Sequence, residues 1–160
     1  EMISDVNWGD LDYLFIDMPP ASSDKPPILS QFIPDLAGAV IVTIPSEVAQ
    51  LIVKKSVVFL NRELKIPIIG LIENMSGAVC PHCDHALELF EGSGESVGLL
   101  KELELPLLGR VPFDRRIATS ADRGESFVGD HPHTPAAQAF RSIAGTLEKH
   151  IGPTASKDRS

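Results

Sequence analysis

The sequence predicts an α/β fold built around a mainly parallel β-sheet. Short apolar runs alternate along the chain with segments of helical periodicity, which is typical of successive strand and helix units. The apolar runs are nearly continuous, as in strands that are buried on both faces. Right-handed crossovers would bring the carboxyl ends of these strands to one edge of the sheet, where ligands of such folds bind. Functional residues are therefore expected at strand ends.

The first two predicted strands each end near a proline. Tyr13–Asp17 is an apolar run that ends in an acid and is followed, after one residue, by Pro19 and Pro20. The two prolines exclude a helical continuation and stiffen the loop. A second apolar run, Ala39–Thr43, ends shortly before Pro45. Both runs are predicted as strands of the sheet.

The remaining segments continue the alternation of helices and strands. Ser46 is the predicted N-cap of a helix over about Val48–Leu64, whose apolar side is formed by Val48, Leu51, Ile52 and Phe59. Further elements are predicted at Pro67–Glu73 (strand), Glu95–Leu103 (helix), Leu107–Val111 (strand), Arg115–Asp122 (helix) and Thr134–Ile151 (helix). The last helix has a core-facing stripe of Ala136, Phe140, Ile143, Leu147 and Ile151. We expect one domain over residues 1–151, with a cysteine loop at 76–91 and a flexible tail at 152–160.

The composition limits the kinds of molecule that the protein is expected to bind. The chain carries a formal charge of −8 and no cluster of lysine or arginine, which argues against direct binding to nucleic acid or to an anionic membrane. Its apolar runs are too short to span a bilayer. No secretory leader is recognisable, and a single CxxC pair indicates metal or redox chemistry in a reducing compartment rather than a disulfide scaffold. A cytoplasmic location is therefore expected.

Candidate site residues stand at or just beyond the predicted strand ends. Asp17 ends the first strand, where a carboxylate can hold a magnesium ion beside the phosphates of a nucleotide, or can cap a turn. Asn74 follows the third strand, and its amide both donates and accepts hydrogen bonds, so it can contact a nucleobase or close the turn. The segment Pro112–Asp114 follows the fourth strand. The three positions are expected to converge on one edge of the sheet.

The most specific functional motif in the sequence is the pair Cys80 and Cys83 in a Cys-Pro-His-Cys turn. A CxxC loop places two sulfurs on one metal, and thiolates select zinc, copper(I) or iron–sulfur centres. Two thiolates supply half of the usual four ligands. His82 and His85 could complete a zinc site, a two-fold dimer could hold one cluster between two such pairs, or the pair could be a thioredoxin-like dithiol. The residues alone leave these interpretations open.

Taken together, these segments resemble the Mrp/ApbC branch of the MinD/ParA-type P-loop ATPases, the iron–sulfur cluster carriers. The similar segments run in family order over nearly the whole chain: residues 8–20 (WGDLDYLFIDMPP), 38–43 (GAVIVT), 70–76 (GLIENMS), 80–83 (CPHC), 106–112 (PLLGRVP) and 135–140 (PAAQAF). The resemblance implies a partial doubly wound, P-loop NTPase-like sheet with helices on both faces.

The resemblance also implies a function for the candidate residues. It implies an ATPase that binds a [4Fe–4S] cluster across a homodimer and passes it to apo-proteins, with Cys80 and Cys83 of each subunit holding the cluster. By similarity, Asp17 would serve the catalytic magnesium (Mg2+) site. Asn74, Pro112 and Asp114 would surround the adenine of ATP.

Two departures from the family pattern bear on activity. The chain contains no G-x-x-x-x-G-K-[ST] phosphate loop, so the β- and γ-phosphates would lack their backbone cradle and their lysines. Where the family has Gly-Thr-Gly-Asp after the two prolines, this chain has Ala21-Ser22-Ser23-Asp24. We therefore expect the C-terminal part of a longer protein, inactive by itself as an ATPase. A zinc-stabilised interaction module without catalysis and a MinD/ParA-like positioning ATPase are the competing functions.

Overall fold

The main sheet has three parallel strands in the part of the chain that the structure describes. The computed structural model describes residues 5–18, 33, 36–80, 82–83, 85–90 and 96–152. Its strands are β1 (Ala39–Thr43), β2 (Ile68–Asn74), β3 (Ala78–Val79), β4 (Ala86–Leu87) and β5 (Leu107–Val111). The parallel strands lie in the order β1–β2–β5, while β3 and β4 form a separate antiparallel hairpin. The predicted parallel α/β sheet is confirmed.

Capping residues mark several of the helix ends. They are α1 (Glu47–Phe59), α2 (Ser96–Leu103), α3 (Arg115–Arg123), α4 (Phe127–Asp130) and α5 (Pro135–Ile151), and α1 continues into a π-helical turn at Leu60–Leu64. The hydroxyl groups of Ser46 and Thr134 accept hydrogen bonds from the first turns of α1 and α5. Gly124 ends α3 with a φ of 68°. None of the described helices has the length and apolarity needed to cross a membrane.

Helices cover both faces of the sheet, as the fold prediction requires. On one face, Ile143 and Leu147 of α5 join a core cluster with Leu108 and Val111 of β5. On the other face, α1 and α2 pack against β1 and β2 through Val53, Val57, Leu99, Ile41 and Leu71. The two core clusters therefore lie on opposite sides of the sheet, one under α5 and one under α1 and α2. The carboxyl ends of the parallel strands remain at one edge.

The predicted core side of α1 is wrong. Val48, Leu51 and Ile52 are 69%, 60% and 54% exposed, whereas Val53 and Val57 are the buried residues of the helix. Val53 lies five residues beyond Val48, which is about 140° around a helix of 3.6 residues per turn. The helix carries apolar residues over a wide arc, and periodicity alone could not tell which part of that arc meets the sheet.

The predicted strand Tyr13–Asp17 is also wrong. These residues are described, but they form no strand, and Leu14 and Phe15 are 45% and 73% exposed. Within the described residues β1 pairs with β2 alone, so this run has no partner for its backbone groups. An apolar run becomes a strand only where a neighbouring strand accepts and donates its hydrogen bonds. In the described structure the outer side of β1 stays unpaired, and residues 13–17 do not pair with it.

Several predictions fall on residues outside the described part. These are Pro19, Pro20, the segment 21–24 and the tail beyond Gly152. The division into a domain at 1–151, a cysteine loop at 76–91 and a tail at 152–160 stays a prediction.

Candidate functional site

The ends of β2 and β5 are tied together at the carboxyl edge of the sheet. The backbone N–H of Ser76 donates to the carbonyl of Val111 at 3.1 Å, and the N–H of Phe113 donates to the carbonyl of Gly77 at 2.7 Å. These two bonds join the segment that leaves β2 to the loop that leaves β5. The structure therefore brings Asn74 and the Pro112–Asp114 segment to the same edge.

Asn74 closes a turn at the end of β2. Its Oδ1 accepts a hydrogen bond from the backbone N–H of Met75 at 2.9 Å, and Met75 has a left-handed φ of 55°. An Asn side chain bound to the following backbone stabilises such a turn. The side-chain NH₂ group is then the part of Asn74 that can donate to a ligand.

Asp114 caps a helix at this edge. Its carboxylate accepts from the backbone N–H of Arg116 at 3.0 Å and from the guanidinium of Arg116 at 2.6 Å. The side-chain hydrogen bond from Arg116 is the main cause that lowers the pKa of Asp114. Asp114 therefore fixes the direction in which α3 leaves the loop after Pro112.

Asp17 does not join the other candidates in the sheet. It is exposed and belongs to the segment that forms no strand. The expected convergence of three strand ends is therefore reduced to two in the described structure, namely Asn74 and the Pro112–Asp114 segment. The reason is the unpaired backbone of the preceding apolar run.

The two cysteines lie at the tip of the β3–β4 hairpin, which sequence reasoning treated only as a loop. Ala78 pairs with Leu87 and Val79 pairs with Ala86. The N–H of Cys80 donates to the carbonyl of His85 at 2.9 Å, which extends the pairing to the base of the turn. Two short apolar pairs separated by the six residues 80–85 are the signal that could have predicted this hairpin.

The hairpin presents Cys80 and Cys83 as free thiols. Cys80 is half-buried and Cys83 is exposed. The pKa of the Cys80 thiol is lowered, first by a hydrogen bond from the backbone N–H of His82, and then by the side chain and backbone of Cys83. A lowered pKa favours the thiolate, which is the form that binds metal. Among the residues that the structure describes, no group of three His, Cys, Asp or Glu side chains is placed to hold a metal ion.

A partly buried ion pair next to the hairpin was not predicted from the sequence. Glu73 is paired in register with Arg110, and its Oε1 accepts from Nε of Arg110 at 3.0 Å. The Glu73 side chain is 1% exposed and its Oε2 has no described partner, whereas the Arg110 side chain is 43% exposed. Both residues line a cavity of about 320 Å³ that the hairpin helps to enclose. An acid at the end of an apolar run, one strand away from an arginine, was the available signal.

Two comparisons relate the whole chain to known proteins. The chain is 44% identical over 151 residues to the iron-sulfur cluster carrier protein of Saccharolobus solfataricus, and the match covers 94% of this chain and 50% of that protein. A nucleotide-binding protein from Archaeoglobus fulgidus, solved in complex with ADP, superposes with a TM-score of 0.65 and 32% identity over 83% of this chain and 52% of that chain. The chain thus spans about half the length of these relatives.

The fold itself is shared more widely. The cell division ATPase MinD of Pyrococcus furiosus matches with a TM-score of 0.52 and 26% identity, over 71% of this chain and 43% of that chain. A family model described as ParA, NUBPL iron-transfer P-loop NTPase, matches residues 1–148, which is nearly the whole described fold. The chain therefore belongs to the ParA/NUBPL family of iron-transfer P-loop NTPases.

Proposed function

We propose that this chain is the C-terminal part of an ATP-dependent iron–sulfur cluster carrier. In this proposal Cys80 and Cys83 of two identical chains hold one [4Fe–4S] cluster as cargo, and the protein passes it to apo-proteins in the cytoplasm. The observation that carries the proposal is the hairpin, which presents two free thiols at its tip, one of them with a lowered pKa. The carrier function of the Saccharolobus solfataricus relative supports it.

The number of available ligands supports a site shared between two chains. A cubane cluster is usually held by four thiolates, and this chain has two cysteines. The described residues offer no third His or carboxylate ligand beside them. A two-fold axis near the hairpin tip would double the pair to four thiolates without further residues. The exposure of Cys83 leaves room for that approach.

The carboxyl edge of the sheet is the proposed nucleotide-binding site. Asn74, Pro112 and Asp114 would form the wall against the adenine, in keeping with the ADP complex of the Archaeoglobus fulgidus relative. The free NH₂ group of Asn74 can donate to a ring nitrogen. Asp17 would hold Mg2+ and act in catalysis in the whole protein. ATP turnover further requires a phosphate loop, which these 160 residues do not contain.

Anaerobic reconstitution with iron and sulfide tests the cargo site. We expect the wild-type chain to become brown and to bind four irons per two chains, because the two hairpins supply four thiolates. Cys80→Ser and Cys83→Ser should each abolish the cluster absorbance. His85→Ala is the matched control in the same hairpin and should keep it.

The same preparation separates the carrier from a zinc module. A colourless wild-type chain that binds one zinc ion per monomer, and loses that ion in the His85→Ala variant, would refute the proposed cargo.

A further inference from the structure

The cavity beside the hairpin combines one charged pair with a mostly apolar lining. Glu73 and Arg110 form the charged pair, and Ser76 adds a hydroxyl group. Most of the other lining residues are small or apolar, namely Gly77, Ala78, Val79, Ala86, Leu87 and Pro112. The volume of about 320 Å³ lies at the lower end of the range for small-molecule sites, which is about 300–1,000 Å³. A few polar groups in apolar surroundings are typical of such sites.

The carboxylate in this cavity has one buried oxygen that lacks a hydrogen bond. Glu73 is fully buried, and its Oε1 accepts from Nε of Arg110 at 3.0 Å. Its Oε2 has no partner among the described residues. Buried polar atoms are nearly always hydrogen-bonded, and an ionised carboxylate can only accept. A ligand that reaches Oε2 must therefore bring an N–H or O–H group.

The arginine in the cavity has the opposite requirement. Within the described residues, Nε is the guanidinium atom of Arg110 that has a partner, so both Nη groups can still donate. A guanidinium binds a carboxylate through two parallel hydrogen bonds. Because the Nη groups and Oε2 of Glu73 belong to two side chains that already touch, the donor and the carboxylate of a ligand must lie close together.

We propose that this cavity binds a free α-amino acid with an apolar side chain. The ammonium group donates to Oε2 of Glu73, and the carboxylate accepts from the Nη groups of Arg110. An α-amino acid carries these two groups on one carbon atom, which gives the short separation that the ion pair requires. The apolar side chain lies against the hairpin residues of the lining, such as Ala78 and Leu87.

The charges in the cavity favour a zwitterion over an anion. Glu73 and Arg110 neutralise each other, Glu88 also lines the cavity, and the whole chain has a formal charge of −8. A free amino acid is neutral overall and pairs with both members of the ion pair. The end of a peptide has a carboxylate beside a neutral amide, so its negative charge would enter this surrounding without compensation.

This site is separate from the proposed nucleotide and cargo sites. Asn74 follows Glu73 in β2, so its side chain points to the opposite face of the sheet. Pro112 is common to the cavity and to the proposed adenine wall. The cavity lining in the described part of the chain does not include Cys80 or Cys83.

Isothermal titration calorimetry with L-alanine, L-valine and L-leucine tests the proposal. At least one of the three should bind to the 160-residue chain at millimolar concentration. 4-Methylpentanoate and 3-methylbutylamine each lack one of the two charged groups of leucine, so each should bind at least roughly tenfold more weakly than leucine. N-acetyl-leucine mimics the end of a peptide and should also bind more weakly than the free amino acid.

One substitution removes the ammonium partner while it keeps the fold. In Glu73→Gln the amide oxygen still accepts from Nε of Arg110, but an NH₂ group replaces Oε2 and cannot accept from the ligand. Amino acid affinity should fall by roughly tenfold or more. Glu148→Gln makes the same chemical change at an exposed position of α5 and should bind as the wild type does. Circular dichroism checks that both variants are folded.

Three results would overturn the proposal. They are the absence of binding by all three amino acids, equal affinity of the wild type and Glu73→Gln, and tighter binding of N-acetyl-leucine than of leucine. Backbone amide NMR shifts locate the ligand, because binding in the cavity should move the signals of Ala78 and Ala86 but not that of Glu148. Cluster uptake is measured separately, so these results leave the proposed carrier function standing.

Discussion

Glu73 and Arg110 join the ends of β2 and β5 through an ion pair that lies half in the interior. The carboxylate is buried and the guanidinium is partly in solvent, so the two partners are not equivalent. Removal of the arginine leaves a charge in the interior without a partner, whereas a neutral acid analogue leaves an arginine that water can still solvate. The pair therefore makes stability depend mainly on Arg110.

We predict an asymmetric effect of removing each partner. Arg110→Met should lower the free energy of unfolding by about 3–5 kcal/mol, since the Glu73 charge stays buried and unpaired. Glu73→Gln should lower it by about 1 kcal/mol or less, since the amide oxygen still accepts from Nε of Arg110. Urea unfolding of the two variants measures both values. Equal losses would mean that the ion pair is not organised as described.

The Asp114–Arg116 contact predicts a dependence of stability on pH. The hydrogen bond from Arg116 lowers the pKa of Asp114 in the folded state. Its stabilisation is therefore complete above the ordinary carboxyl pKa of about 3.9 and is lost as the pH falls through the lower folded value. Asp114→Asn should reduce the loss of stability in that acidic range, measured by urea unfolding at a series of pH values. Asp122→Asn, in the same helix, is the control and should leave the acid profile as in the wild type.

At the scale of elements, the position of α5 on β5 depends on a glycine. A Cβ atom at Gly109 would lie 2.5 Å from Cγ1 of Ile143, a buried residue of α5. The missing side chain therefore lets the helix approach the strand closely. The same helix contains Gly145, where an added Cβ would meet nothing within 4 Å.

These two glycines give a matched pair of substitutions. Gly109→Ala should lower the free energy of unfolding by about 1–3 kcal/mol, because the helix must shift to avoid overlap. Gly145→Ala should raise it by up to about 1 kcal/mol, because alanine favours the helix without a clash. Thermal unfolding compares the two variants, and a similar effect in both would contradict the close packing of α5 on β5.

The continuous apolar runs predicted the three strands of the main sheet, and a local cap signal predicted the start of α1. Ser46 was predicted as the N-cap of α1, and its hydroxyl accepts a hydrogen bond from the backbone N–H of Ala49, a neighbour in the chain. The core side of α1 and the strand at Tyr13–Asp17 depended on distant partners and were predicted wrongly. The pairing of two-residue strands in the β3–β4 hairpin was missed, since so short a run has no periodicity of its own.

The sequence predicted which residues lie at the candidate site better than it predicted their individual contacts. The order of strands predicted Asn74 and the Pro112–Asp114 segment as candidate site residues. The CxxC spacing predicted the two cysteines. Closure of a turn was one of the two roles expected for Asn74, and the bond from Met75 is such a closure. The Arg116 contact of Asp114 was not predicted, although it is short-range. The roles of these residues toward nucleotide and cluster remain proposals for experiment.

At the scale of the whole molecule, one face of the sheet is only partly covered at strand β1. Val40 packs against the α5-side core, whereas Val42, two residues along the same face of β1, is 61% exposed. The relatives that this chain matches are about twice as long. In the whole protein, we propose that additional structure covers Val42 and supplies the phosphate loop.

The two valines predict opposite responses to a charged side chain. Val42→Lys should change the free energy of unfolding of the 160-residue chain by no more than about 0.5 kcal/mol, since the lysine can reach solvent. Val40→Lys should cost about 1–3 kcal/mol, since the ammonium must leave the core cluster. Urea unfolding measures both, and a large cost at Val42 would show that its face is already covered.

We propose above that two chains share one cluster through four cysteines. Native mass spectrometry of the anaerobically reconstituted wild-type chain tests it most directly, because it weighs the intact assembly. We expect a single species with the mass of two chains and one [4Fe–4S] cluster, and no such species in the Cys80→Ser variant. A single chain that carries its own metal ion or cluster would contradict it.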